Sequence, residues 1–207
     1  MIDDRLVRSS AEFSPDGAHR YRLTRQWARG PLLMVIGLNP STADETVDDP
    51  TIRRCLGYAR DWGFSGLLMT HLFSYRATDP KDLARYMTRL EVDDPREFLR
   101  VRTANLHRVL GEARQVMLAE GAVLAAWGTQ GALFRTARSL CAMLDPFGPE
   151  HGYRIPVACL GVTQQGEPRH PLYLRRDAVP VPFIGNGGRL VTVPPGGQLI
   201  QQVMEEP

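Results

Sequence analysis

The sequence predicts an α/β fold in which a mainly parallel sheet, covered by helices on both faces, follows an N-terminal β-hairpin. We interpret four apolar runs as buried strands, at residues 32–38, 66–75, 122–127 and 157–162. Segments with helix-start signals separate these runs. Strands that are nearly continuous in apolar residues and alternate with helices are typical of a parallel sheet buried on both faces.

The N-terminal segment and the first helix carry local signals. Residues 11–27 alternate polar and apolar side chains around a Ser-Pro-Asp-Gly turn, and this pattern predicts the β-hairpin. Asp49 before Pro50 predicts a helix start, because aspartate caps free backbone N–H groups and proline fits the first helical position. We expect this helix to run to about Trp62 and to stop at Gly63.

Three more helices are predicted along the chain. The Asp-Pro signal recurs at residues 79–80 and 94–95, so we expect a short helix and then a longer one to about Arg114. A fourth helix, over residues 129–144, follows the third strand. The alternation of strands and helices therefore continues through most of the chain.

Length and composition limit the class of protein. With 207 residues, 43% of them hydrophobic, we expect one domain at residues 1–183 and a Gly- and Pro-rich extension at residues 184–207. No apolar run reaches the roughly 20 residues of a membrane helix, and the N-terminus does not resemble a secretory signal. We therefore expect a cytoplasmic protein that does not contact membranes. A net charge of +2 gives no general attraction to nucleic acid.

The sequence predicts neither a metal site nor a cofactor. Cys55, Cys141 and Cys159 are far apart and form no CxxC pair, which argues against zinc, an iron–sulfur cluster or a disulfide framework. The acidic residues at 44–49 suit helix capping better than metal binding. The signatures of nucleotide hydrolysis, dinucleotide binding and α/β-hydrolase chemistry are absent.

Two polar residues follow predicted strands at the edge where α/β proteins bind ligands. Asn39 ends the first strand and can hold a water through its carboxamide, and the next residue, a proline, keeps its backbone extended. The alternative is an asparagine that only satisfies backbone groups in a turn. His170 follows the fourth strand and can donate a hydrogen bond to developing negative charge, unless its role is structural.

Aromatic and basic residues lie on the same loops. Strand alternation in "THLFSYRATDP" places His71, Phe73 and Tyr75 on one face. We expect one of the two aromatic rings in the core and the other in a pocket, where it stacks on a base or a sugar. The arginines that can contact phosphates are Arg76, Arg169, Arg175 and Arg176. The alternative is that these arginines only form a solvated surface.

Five segments resemble, in order, the motifs of a bacterial and phage family known as domain of unknown function 1643. They are "GLNPSTAD", "DDPTIRRC", "LFSYRATDP", "AAWGTQG" and "CLGVTQQGEPRHPLYL", within residues 13–176. This resemblance implies a family and not an activity.

A more distant resemblance implies a function. "GLNPS" is similar to the first motif of the uracil-DNA glycosylase superfamily, closest to its mismatch-specific branch, and "RHPLYLRR" is similar to the His-Pro motif of the thermophilic branches. The resemblance implies the three-layer α/β/α sandwich of that superfamily. Asn39 would position the attacking water, and His170 would stabilise the departing base.

The same resemblance implies contacts with the substrate and with DNA. The base would be flipped into a pocket lined by seven residues, Gly37, Leu38, Pro40, Ser41, His71, Phe73 and Tyr75. A loop with an apolar wedge would enter the duplex while the arginines hold phosphates, and this loop contains Pro171, Leu172 and Tyr173.

One departure from the superfamily bears on the substrate. His71 stands where the superfamily has the asparagine that reads the pyrimidine, so we expect a modified pyrimidine, for example a hypermodified cytosine of phage DNA in antiviral defence. The cluster-binding cysteines of the thermophilic branches are absent, so no cofactor is implied. We therefore expect a monofunctional DNA glycosylase whose partner is DNA, without an obligate protein partner. The alternatives are an N-glycosidase or transferase acting on free nucleosides or nucleotides, and a non-catalytic nucleic-acid-binding module.

Overall fold

The computed structural model describes residues 8–144 and 155–183, so the predicted extension at residues 184–207 lies outside the described residues. The described strands are β1 (Arg8–Phe13), β2 (Arg20–Gln26), β3 (Leu32–Gly37), β4 (Gly66–His71), β5 (Ala122–Ala125), β6 (Ala158–Cys159) and β7 (Val181–Pro182). The described α-helices are α1 (Pro50–Asp61), α2 (Pro80–Asp93), α3 (Pro95–Leu118) and α4 (Thr136–Leu144). None of these helices is long and apolar enough to cross a membrane.

The strands form one mixed sheet in the order β1-β2-β4-β3-β5-β6-β7. The central strands β4, β3, β5 and β6 pair in parallel, whereas the β1–β2, β2–β4 and β6–β7 pairs are antiparallel. The prediction of a mainly parallel sheet is therefore wrong, although the predicted N-terminal β-hairpin is confirmed. The hairpin is part of the sheet because β2 pairs with β4. Without β2, the backbone N–H and C=O groups on that side of β4 would have no partners.

The side chains of β3 show how the sheet is buried. Met34 and Ile36 pack into a core cluster with α2, α3 and α4, whereas Leu33 and Val35 pack into a second cluster with α1. All four side chains are at most 1% exposed. A strand that is buried on both faces needs a continuous apolar run, and the sequence of β3 supplies it.

The helices begin where the Asp-Pro pairs predict. The side chains of Asp49, Asp79 and Asp94 accept hydrogen bonds from backbone N–H groups in the first turns of α1, α2 and α3, which confirms three predicted helix starts. The predicted helix at residues 129–144 is only partly α-helical. It begins as a 3₁₀ helix, Thr129–Arg135, and continues as α4.

Candidate functional site

The candidate site lies at the edge of the sheet where β4, β3, β5 and β6 end. These strands run in the same direction, so the segments that follow them start side by side. In the order of the strands, His71 ends β4, Asn39 and Gly128 follow β3 and β5 closely, and His170 lies on the long loop after β6. This loop returns to the end of β5, where the N–H of Gly128 donates a hydrogen bond to the carbonyl of Pro168 at 2.9 Å. We call this the C-terminal edge, and it is the edge at which open α/β sheets bind ligands.

The carboxamide of Asn39 connects the loops that follow β3 and β4. Its Nδ2 donates hydrogen bonds to the carbonyl oxygens of Ala77, at 2.7 Å, and Pro40, at 3.0 Å. These two acceptors fix the orientation of the amide, because only its nitrogen can donate. Within residues 8–144 and 155–183, Oδ1 of Asn39 makes no hydrogen bond, so it can accept one from a water or a substrate.

His170 precedes a short 3₁₀ helix, Pro171–Tyr173, and its Nδ1 accepts a hydrogen bond from the backbone N–H of Leu172 at 3.3 Å. Burial lowers the pKa of His170 below its usual value, although the negative charge of Asp49 opposes this. A neutral imidazole that accepts at Nδ1 carries its proton on Nε2. His170 can therefore donate a hydrogen bond from Nε2 without carrying a charge.

His71 ends β4 and is only 4% exposed. Its ring packs against Gly37 of β3, where an added methyl group would lie 3.0 Å from Cδ2 of His71. Burial lowers the pKa of His71 well below its usual value, and the positive charges of Arg20 and protonated His170 lower it further. The ring is therefore neutral at pH 7, and its buried Nδ1 has no hydrogen-bond partner among the described residues.

Arg20 begins β2 at the same edge and is 1% exposed. Its Nη1 donates a hydrogen bond to the carbonyl oxygen of Ala43. Burial lowers the pKa of Arg20 to about 10, although the charge of Asp49 opposes this, so the guanidinium is still cationic at pH 7. Its Nε and Nη2 make no hydrogen bond with any part of the chain that the structure describes.

A second buried arginine on β2 holds the loop between β3 and α1. Nε and Nη2 of Arg25 lie 3.0 and 2.9 Å from Oδ1 of Asp48. The same guanidinium donates to the backbone carbonyls of Thr24 and Asp44. This loop, which forms one wall of the C-terminal edge, is therefore fixed by β2.

Two of the predicted pocket residues, Leu38 and Phe73, belong to the core cluster on the α3 side of the sheet. Strand β4 ends at His71, so the predicted alternation does not continue to Phe73, which instead packs in the same cluster as Leu72. Tyr75 stacks on Tyr86, with ring centroids 3.7 Å apart. These contacts hold the rings of Phe73 and Tyr75 against other parts of the protein and do not bring either ring beside Asn39.

The other predicted pocket residues lie close to Asn39 in the loop after β3. Pro40 is buried, and its carbonyl accepts a hydrogen bond from the N–H of Ala77 at 2.9 Å. Ser41 donates from its hydroxyl to that of Thr78 at 3.3 Å. These contacts connect the loop after β3 to the loop after β4.

The predicted DNA-entry loop is held against α1. The hydroxyl of Tyr58 on α1 donates a hydrogen bond to the carbonyl of Arg175 at 2.6 Å. Pro171 is buried and Leu172 is half-buried, whereas Tyr173 is 83% exposed. The loop thus has a fixed base and one projecting aromatic side chain.

The four predicted phosphate contacts differ in their partners. Arg175 forms an ion pair with Asp177 at 2.9 Å, and Arg176 pairs with the last residue of α1 at 2.8 Å. Arg76 donates to backbone carbonyls of neighbouring loops. Arg169 is exposed and has no ion pair within the described ranges, so it is the predicted contact whose charge is most available.

The three cysteine thiols are expected to be unreactive. Burial raises the pKa of Cys55 to about 12 and that of Cys141 and Cys159 to about 11. They stay protonated at pH 7 and are therefore poor nucleophiles. The residues that the structure describes also contain no group of three or more side chains suited to hold a metal ion.

Sequence reasoning missed two residues of the site. Arg20 belongs to a predicted hairpin, where an arginine normally faces solvent, and only its position at the start of a strand bordering the C-terminal edge could have drawn attention to it. Asp49 was interpreted as a helix cap, and it does cap α1 by accepting from the N–H of Ile52 at 2.9 Å. Its charge also raises the pKa of both Arg20 and His170, so it lies within electrostatic range of both.

The comparisons with known proteins identify a family. No curated protein and no solved structure matches the chain. Residues 20–172 match the model of a family described as "Protein of unknown function (DUF1643)", a region that begins at Arg20 and includes His170. The match covers well over half of the chain, and the protein therefore belongs to the DUF1643 family, as five segments of its sequence predict.

Proposed function

We propose that the protein is a DNA glycosylase that cleaves the N-glycosidic bond of a flipped-out modified pyrimidine and leaves an abasic site. One observation carries the proposal. Among the described residues, Oδ1 of Asn39, an acceptor, and Nε2 of His170, a donor, have no hydrogen-bond partner at the C-terminal edge. Only β5 separates the strands that these residues follow. The reaction needs one group that holds the attacking water and another that donates a hydrogen bond to the departing base.

Cleavage of the bond depends mainly on positioned electrostatics. As the bond between C1′ and the base breaks, its electron pair leaves with the base, and the sugar gains oxocarbenium-like character. A water held by Oδ1 of Asn39 attacks C1′ and releases its proton to solvent. Nε2–H of His170 donates a hydrogen bond to the anionic base. Because burial lowers the pKa of His170, the neutral ring stabilises this charge without transferring a proton.

Sequence similarity and layout support the proposal. The segments that resemble uracil-DNA glycosylase motifs contribute both Asn39 and His170. We also take the fold to be the three-layer sandwich of that superfamily, since α1 and the other helices pack on opposite faces of β3. Tyr173 projects beside His170, with ring centroids 5.5 Å apart, and suits a side chain that fills the space left by a flipped base.

The test is base release from DNAs that carry uracil, mismatches, or modified cytosines including glucosylated ones, measured as alkali-labile abasic sites. We expect abasic sites in at least one DNA with a modified pyrimidine and none in unmodified DNA. If the whole panel stays intact, the proposal is wrong.

Variants assign the two catalytic roles. Asn39→Ala and His170→Ala should each lower the rate about 10²- to 10³-fold, because each removes one positioned polar group, and circular dichroism should show an intact fold. His107→Ala, which changes an exposed histidine of α3, is the matched control and should keep the full rate. Unchanged rates in Asn39→Ala or His170→Ala would contradict the assigned roles.

A second candidate is an N-glycosidase or transferase that acts on free nucleosides or nucleotides. The ion pairs of Arg175 and Arg176 favour it, because they reduce the charge available to DNA phosphates. Salt separates the two functions: binding through phosphates weakens steeply as ionic strength rises, whereas binding of a free nucleoside does not. Tight binding of modified DNA without release of any base would instead indicate a non-catalytic binding module.

A further inference from the structure

Two buried groups lie beyond Asn39 along the C-terminal edge, on the side away from His170. The sheet order places β2 next to β4 and β4 next to β3, so Arg20, His71 and Asn39 follow one another along this edge. Adjacent strands are about 4.8 Å apart, which puts β2 roughly 10 Å from β3. Arg20 and His71 therefore lie within reach of a substituent that extends past Asn39 from a base held between Asn39 and His170, and we take the bound base to carry such a substituent.

Arg20 and His71 have unused hydrogen-bonding capacity at this far end. Buried polar groups in native proteins are normally hydrogen-bonded, because burying them without a partner costs free energy. Nonetheless, Nε and Nη2 of Arg20 and Nδ1 of His71 lack partners within the described residues, although both side chains are more than nine-tenths buried. The charge of Arg20 also lowers the pKa of His71, so the two groups are within electrostatic range of each other.

We propose that Arg20 and His71 form a subsite that selects a base carrying a carboxylate-like group, with two coplanar oxygen acceptors. The Nε–H and Nη2–H of a guanidinium match the two oxygens of a carboxylate in a bidentate pair. His71 adds a third hydrogen bond when its Nδ1 carries the proton. This inference rests on the proposed function, since it takes the carboxylate-like group to be a substituent of the base.

A phosphate offers the same pair of oxygens, but the location of Arg20 argues against it. The sugar-phosphate backbone of DNA stays at the protein surface, where exposed arginines such as Arg169 can contact it. Arg20 is 1% exposed and lies under the loop that contains Ala43. The buried position therefore suits a group on the base better than a group on the backbone.

The test compares the affinity of the wild-type protein for four nucleoside probes by isothermal titration calorimetry. The probes are 5-carboxy-2′-deoxyuridine, 5-hydroxymethyl-2′-deoxyuridine, thymidine and thymidine 5′-monophosphate. We expect the carboxyl probe to bind about 10- to 100-fold more tightly than the hydroxymethyl probe, because charge-assisted hydrogen bonds are the strong ones. Equal affinities, undetectable binding of the carboxyl probe, or a preference only for the monophosphate would overturn the inference.

Variants locate the preference on Arg20. Arg20→Gln should remove the preference for the carboxyl probe, whereas Arg22→Gln should keep it, since Arg22 pairs with Glu112 elsewhere on β2. Should Arg20→Gln not fold, NMR of the wild type gives the answer instead. The carboxyl probe should shift the Nε–H signal of Arg20, and an unshifted signal would overturn the inference.

The failure of this inference is distinguishable from the failure of the proposed function, because binding of a nucleoside needs no base release. A protein that excises a neutral modified base and shows no carboxylate preference retains the glycosylase function and lacks the subsite. A protein that binds the carboxyl probe selectively and releases no base has the subsite and is not a glycosylase.

Discussion

Arg20 and Arg25 lie on the same strand and are both buried, yet their hydrogen bonding differs. All three nitrogens of Arg25 donate, to Asp48 and to two backbone carbonyls, whereas only Nη1 of Arg20 has a partner within the described chain. A buried charge that is fully paired fixes local structure, and a buried charge with unpartnered donors is a candidate for ligand binding. The C-terminal half of β2 therefore holds a loop, and its N-terminal end faces the candidate site.

The largest effect on stability is expected at Arg25. Arg25→Met should lower the free energy of unfolding by about 3 kcal/mol, because it leaves Asp48 and two carbonyls without their donor. Urea denaturation measures this difference. Arg22→Met is the control, since its ion pair with Glu112 is partly exposed and should contribute at most about 1 kcal/mol. Equal losses in the two variants would remove the structural role assigned to Arg25.

Gly37 tests how tightly His71 is held beside Arg20. The methyl group of Gly37→Ala would lie 2.9 Å from Cε of Met69 and 3.0 Å from Cδ2 of His71, so both side chains must give way. The flexible end of Met69 can move easily, and the cost therefore depends on how firmly the ring of His71 is held. We expect a loss of about 1–3 kcal/mol in unfolding free energy, the usual cost of overpacking. Gly57→Ala is the control, because open space surrounds this glycine of α1 and alanine favours helices. A neutral Gly37→Ala would show that the ring of His71 can shift without cost.

The stability should also depend on pH through His71. Its pKa is lowered in the folded protein, so the unfolded chain takes up a proton first as the pH falls through about 6.5. The contribution is complete above pH 6.5 and is lost as the pH falls toward the folded pKa, by about 1.4 kcal/mol per unit of pKa difference. Urea denaturation at pH 7.5 and pH 5.5 measures it.

Two variants separate the contributions to this pH dependence. His71→Gln should lose less stability between the two pH values, and Arg20→Met should lie between it and the wild type, because the charge of Arg20 accounts for part of the lowered pKa. His19 and His170, whose pKa values are also lowered by burial, keep some pH dependence in every variant. An identical pH dependence in the wild type and His71→Gln would contradict the buried, neutral state of His71.

The contrast between the arginines also shows what the sequence can predict. The start of α1 and the strand β3 are predictable, because the Asp49-Pro50 cap and the apolar run act within a few residues. The burial of Arg20 is not, because it depends on the pairing of β2 with β4 and on the loop around Ala43, both remote in sequence. A hairpin with one solvated face would show the same alternation.

The candidate site was predictable where its residues lie on loops that start at the ends of parallel strands. Asn39 and His170 follow β3 and β6, and the direction of parallel strands brings their loops to one edge. The positions of Phe73 and Tyr75 were not predictable, because alternation holds only as far as the strand continues and β4 ends at His71.

The smallest effect on stability is expected at Arg20. Arg20→Met should change the free energy of unfolding by at most about 1 kcal/mol, because two contributions oppose each other: the buried charge is removed, and the carbonyl of Ala43 loses its donor. Urea denaturation alongside Arg25→Met, with equal m-values, makes the comparison direct. A loss as large as that of Arg25→Met would show that Arg20 is structural. A nearly unchanged free energy of unfolding, together with a lost preference for the carboxyl probe, would assign Arg20 to ligand binding. Arg20 would then contribute little to the stability of the fold, and binding the ligand would be the reason for its buried position.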